Sequence, residues 1–130
     1  MARNLTTTLA LSLAGAIGDS NTHSVDVSET LSMADEKAVV NTFMVGTSSA
    51  KTISLADITR ALVYVRNIET SGTNTIKIID TAGSIVLTIL KKQEWAVFPY
   101  TPSTGAGTAL LKAQAVGAQQ ALEYMIIEYA

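Results

Sequence analysis

His23 is the one histidine of the chain, and there is no cysteine. Imidazole chemistry therefore has a single place to start. His23 shares strand parity with Val25 and Val27, whereas Asp26 falls on the opposite parity and is turned away from acting as its partner. Asp19 is the other acid in the neighbourhood. A zinc site here would take most of its ligands from carboxylates, against the usual nitrogen and sulfur preference of that ion. Asp35 and Glu36 adjoin, and paired carboxylates can run acid–base chemistry or hold calcium. The spacing Asp-x-Asp-x-Asp-Gly of a calcium loop is absent, so solvated loop charges are the simpler account. Gly105-Ala106-Gly107 is a fragment of a dinucleotide loop without its third glycine or a following helix. Ser48, Ser49 and Ser103 lack the strand–turn–helix setting of a nucleophilic serine. The expectation is a non-enzymatic protein with no catalytic, metal or cofactor-binding residue.

The elements that would position any site are strands. Leu5, Thr7, Leu9, Leu11 and Leu13 alternate with Thr6, Thr8, Ala10, Ser12 and Ala14, a period of two that suits a half-buried strand. A turn is expected over Gly15–Asn21, followed by alternation at His23, Val25 and Val27. Residues 28–38 read as an irregular connection with at most one helical turn, begun by Ser28, with continuation of the strand by alternation through Leu31 and Met33 as the alternative. Strands are expected at Val39–Val45, near Ile53–Leu55, and at Ala61–Ile68, Thr75–Ile79, Ile85–Leu90 and Trp95–Tyr100. Ser71-Gly72-Thr73-Asn74 reads as a hairpin loop between two of these. Ala109–Val116 suits a strand or, by its alanines, a helix; Gly117 and Ala118 end it, and Ala121–Tyr129 is the closing strand. Eight or nine strands with turns every eight to twelve residues imply an all-β, antiparallel two-sheet sandwich of jelly-roll type. No linker divides residues 1–130, which read as one domain with 1–18 as an intersubunit strand or arm.

Composition narrows the function. Of the 130 residues 48% are hydrophobic and only 15% charged, and mean hydropathy is +0.30. Soluble domains carry nearer a quarter charged residues. A domain of this size has too much surface to hide such an apolar surplus alone, which points to burial against other subunits. No apolar run approaches the roughly 20 residues of a spanning helix. Net charge is −2 and the basic residues are scattered, so neither nucleic acid nor membrane is an expected partner. Residues 9–16 have some character of a secretory signal, but Thr6-Thr7-Thr8 interrupts the apolar region.

Two segments stand out as interface candidates. From Asn4 to Gly18 no charge occurs, and a flat uncharged strand invites pairing with another chain. Leu5, Thr7, Leu9, Leu11 and Leu13 are the candidates there. Trp95, Phe98 and Tyr100 form the second group, since aromatics anchor cores and interfaces alike. Trp95 with Val97 occupies one strand face and Phe98 with Tyr100 the other. The core is the expected place for Trp95; for Tyr100, core and interface stay open.

From Ala61 onward the order of segments resembles small β-sandwich structural proteins of tailed-bacteriophage virions. The resemblance rests on Leu62-Val63-Tyr64-Val65-Arg66-Asn67-Ile68, Ser71-Gly72-Thr73-Asn74, Ile76-Lys77-Ile78, Ala82-Gly83, Ile85–Leu90, Lys92-Gln93-Glu94, Trp95-Ala96-Val97-Phe98-Pro99 and Leu122–Glu128. It covers about half the chain, and the lysine turn departs from the glycine-containing version of that pattern. It implies a virion component made in the host cytoplasm. The first expectation is a capsid decoration (cement) protein that binds major capsid protein subunits as a dimer or trimer; a tail, neck or fibre protein is the alternative. A carbohydrate-binding sandwich would rely on the Trp95–Tyr100 neighbourhood. An RNA-phage-like coat would need a basic sheet and C-terminal helices, which the sequence does not offer.

Overall fold

In a computed structural model of the chain, the residues described are 4–14, 22–53, 60–80, 85–101 and 111–129. Among them nine strands form an all-β antiparallel sandwich and there is no helix. They are β1 (Asn4–Ala14), β2 (Thr22–Val45), β3 (Lys51–Thr52), β4 (Ala61–Asn67), β5 (Thr75–Asp80), β6 (Ile85–Leu90), β7 (Trp95–Tyr100), β8 (Leu111–Val116) and β9 (Gln120–Tyr129). One sheet has the order β1-β2-β9-β4-β7 and the other β3-β8-β5-β6.

The antiparallel partners are nested: β2 with β9, β3 with β8, β4 with β7, β5 with β6. The chain is thus one long ribbon, with β5–β6 at its tip. It is rolled so that β9 also meets β4 and β8 also meets β5. That is the jelly-roll order. The expected sandwich is present, and its period-two sequence explains it. Ala61, Val63, Val65 and Asn67 of β4 face inward, as do Ile76 and Ile78 of β5, Leu111, Ala113 and Ala115 of β8, and Leu122, Tyr124 and Ile126 of β9. Phe43 meets Tyr124 edge to face at 5.5 Å between ring centroids, and Lys51 Nζ lies 4.1 Å over the Phe43 ring.

β2 is 24 residues long and serves two different neighbours. Thr22–Ser32 pairs with β1, whereas Met33 and Ala38–Val45 pair with β9. No rung carries both. The β1–β2 ladder is therefore a separate arm on the N-terminal part of β2, and eleven residues of strand reach about 36 Å.

Two expectations change. Residues 28–38 are not an irregular connection but lie within β2, extended because β1 pairs with the strand as far as Ser32. The irregularity is confined to the register shift between Met33 and Ala38, where Asp35 and Glu36 sit. Residues 69–74 do not close a hairpin: β4 and β5 belong to opposite sheets, and the segment crosses between them. Local composition marks a reversal but does not say which sheet the returning strand joins. Of the two readings open for residues 109–116, the strand is the one present, over Leu111–Val116.

The crossing is held by a buried amide. Asn67 is fully buried; its Nδ2 donates to Leu90 O (3.3 Å) and to Gln120 Oε1 (3.5 Å), and its Oδ1 accepts from Glu69 N (3.1 Å). One side chain thus ties the ends of β4, β6 and β9, which belong to both sheets.

Candidate interaction surfaces

The sheet of β2, β9, β4 and β7 has an outward face built in cross-strand rows. One row runs Val40, Met125, Tyr64, Val97; the next runs Thr42, Glu123, Arg66, Trp95. Val40 is 66% exposed, Trp95 54% and Val97 49%. An open cleft of about 440 Å³ lies there, lined by Tyr64, Arg66, Gln93, Trp95 and Val97.

Its polar groups are braced. Tyr64 Oη donates to Glu123 Oε1 at 2.7 Å, and Arg66 Nη2 donates to Gln93 Oε1 at 2.7 Å. Gln93 Nε2 in turn donates to the carbonyls of Ile68 (2.9 Å) and Glu69 (3.1 Å). Gln93 adopts φ 61°, a left-handed conformation rare for a residue with a side chain. Its side-chain amide donates two hydrogen bonds and accepts one, and these hold the turn in that shape. Burial, with the Glu123 carboxylate next, raises the Tyr64 phenol above its ordinary value of 10.0.

The second surface is β6. Ile85, Val86, Leu87 and Ile89 are exposed by 53, 45, 40 and 54%, and β5 is the strand's only ladder partner among the described residues. Leu87 is an extra residue between the pairs Ile79–Val86 and Ile78–Thr88. Such a bulge re-aims a side chain.

The interface candidates fall as follows. Trp95 is not in the core but exposed, because the odd residues of β7 face outward; only the parity, not which face meets the core, is readable from the strand itself. Phe98 is half-buried and packs against the core, and Tyr100 is part of it at 4% exposure. Leu5, Thr7, Leu9, Leu11 and Leu13 lie in β1 opposite Leu31, Glu29, Val27, Val25 and His23. Thr6, Thr8 and Ala10 are exposed, as is Ser28, whose hydroxyl lies 3.5 Å from that of Thr8. Asp19, Ser103, Gly105 and Gly107 lie outside the described residues. Ser48 and Ser49 are exposed in the loop after β2.

β6 and the polar brace behind Trp95 were not among the candidates. The signal for β6 was present: Ile-Val-Leu-Thr-Ile-Leu has no charge and no proline, unlike an edge strand protected against pairing. Nothing local shows that it is an edge. Among the described residues no three histidine, aspartate or glutamate side chains gather as a metal site would need. Comparison with protein families, with curated proteins and with solved structures finds no match.

Proposed function

We propose that this protein is a non-enzymatic structural component of a tailed-bacteriophage particle, a decoration protein that binds major capsid protein subunits and links them. The fold alone implies no function, since jelly rolls serve many. The hairpin arm carries the reading. A two-stranded ribbon is at best marginally stable in water without a third strand or a packed face. Among the described residues β1 pairs with β2 alone, so the arm calls for a surface supplied by a neighbour. The exposed Val40, Val97 and Trp95 add apolar area to the same sheet's outward face. Many modest contacts of this kind sum through multivalency, which is what shell reinforcement needs.

Removing residues 1–16 tests the reading. It takes away β1 while leaving every strand of the four-on-four sandwich, so the truncated chain should fold and fail to bind shells. Unchanged binding would sink the proposal. Copy number in a purified particle separates the alternatives: hundreds over the shell fit decoration, whereas about six or twelve along an axis fit a tail or neck role.

A carbohydrate-binding role has one observation in its favour, the Trp95 cleft with Tyr64, Arg66 and Gln93 beside an exposed indole. Trp95 is the sole tryptophan, so its fluorescence reports on that site directly. An unchanged spectrum through titration with host-surface oligosaccharides would remove this reading.

A further inference from the structure

We infer that β6 is the self-association strand of this protein: two copies pair their β6 strands antiparallel about a two-fold axis, joining two four-stranded sheets into one of eight. This goes beyond the shell-binding role proposed above and gives the dimer or trimer expected from the sequence a named surface.

Among the described residues the free edges of the sandwich are not alike. β3 is only two residues long and begins with Lys51; β7 carries Pro99, which removes a donor from its ladder. Short length, lysine and proline are the usual devices against edge-to-edge pairing. β6 has none of them. Its one irregularity is the bulge at Leu87; a bulge can itself blunt an edge, but this one leaves a further apolar side chain exposed and brings no charge. The arm's β1 is the other uncharged edge, and it lies on the other sheet, beyond the opposite end of the strand order.

A second copy of β6 is the occupant that fits. Two-fold pairing sets a strand against itself, so each charge would face its own copy or a near neighbour. Ile85–Leu90 brings no charge to such a pairing. The flanks decide the direction. Lys91 and Lys92 follow the strand and are exposed, so parallel pairing would stack them on their own copies, whereas antiparallel pairing sends them to opposite ends. Closed two-fold symmetry also uses up both edges and stops further growth. Pairing covers part of the apolar surface of Ile85, Val86, Leu87 and Ile89 together with the free backbone groups of both strands, a small contact that suits a reversible dimer.

Sedimentation of the purified full-length chain tests it. The wild type should be a monomer–dimer system. Ile89→Lys alters a side chain already 54% exposed, so the fold should survive, checked by its melting curve. Symmetry brings two lysines into the contact, and the dimer should weaken by about 100-fold. Val40→Lys, on the other sheet, should leave the dimer as it is. Because the chain has no cysteine, Leu87→Cys gives a lone thiol beside the axis that should form a disulfide-linked dimer, whereas Val40→Cys should not. A monomeric wild type, a trimer, a dimer insensitive to Ile89→Lys, or cross-linking through position 40 instead of 87 would each overturn the inference. A dimer made through another surface would overturn it while leaving the assembly reading intact.

Discussion

Tyr64 and Glu123 stand on neighbouring strands of the same sheet, and the phenol donates to the carboxylate at 2.7 Å on the outward face. The bond joins β4 to β9 outside the core, beside the exposed Trp95. A hydrogen bond to a charged acceptor is worth more than a neutral one, but solvent at this half-buried site trims it. Tyr64→Phe should cost about 1 kcal/mol. A double-mutant cycle with Glu123→Gln, read by denaturant unfolding, should recover most of that as coupling.

Alkaline pH should destabilise the fold. Tyr64 and Tyr100 both hold their protons above the ordinary value of 10.0, Tyr64 through burial and then Glu123, Tyr100 through burial and then the charge of Asp80. Above pH 10 the unfolded chain ionises first, so the folded chain binds more protons and stability falls as pH rises. The stabilisation is complete below pH 10 and is lost as pH climbs through the raised folded values. Melting temperature followed from pH 8 upward should show the decline, and a Tyr64→Phe, Tyr100→Phe variant should flatten it.

At neutral pH the phenol of Tyr100 is a small liability. Its Oη is buried and has no hydrogen-bond partner among the described residues. Removing an unsatisfied buried hydroxyl while keeping the ring can be neutral or stabilising. Tyr100→Phe should leave stability unchanged or raise it by about 1 kcal/mol. A clear loss in chemical denaturation would mean that the hydroxyl has a partner after all.

Asn67 predicts the opposite outcome. Truncation to alanine strands Leu90 O and Glu69 N and opens a gap where both sheets meet. The expected loss is about 2–3 kcal/mol, visible as a lower denaturant midpoint at unchanged slope.

Gly117 adopts φ 94° in the turn between β8 and β9, and a Cβ there would collide with Asn74 Oδ1. Gly117→Ala should cost about 2 kcal/mol or more. Pairing it with Asn74→Ala should recover the part due to the collision and leave the part due to φ.

The strands were legible because a buried face writes itself as alternation. Ala61, Val63, Val65 and Asn67 mark the inner face of β4, and Leu122, Tyr124 and Ile126 that of β9. Sheet membership was not legible. Ser71-Gly72-Thr73-Asn74 has the composition of a hairpin loop, yet it carries the chain across the sandwich, and only the partner strands show this. Trp95 is a related case: parity groups it with Val97 but does not say which face meets the core. Residues 28–38 were obscured by Asp35, Glu36 and Lys37, charges at a register shift that break the alternation before it resumes at Ala38. The interaction surfaces were half legible. The uncharged β1 segment stood out by composition, whereas the exposure of β6 depends on its place at the end of a sheet.

The nested pairing also dictates an order of events during synthesis. β5–β6 is the one sandwich pair that is local in sequence; β2 must wait for β9, some eighty residues later, and β4 meets its inner neighbour only then. Loop closure over such separations slows folding. A ribosome that has released β6 but not β9 displays Ile85–Leu90 on a chain that cannot yet close. The interval before β9 emerges is therefore when this protein is most exposed to aggregation, and when a holding chaperone would matter most to its yield.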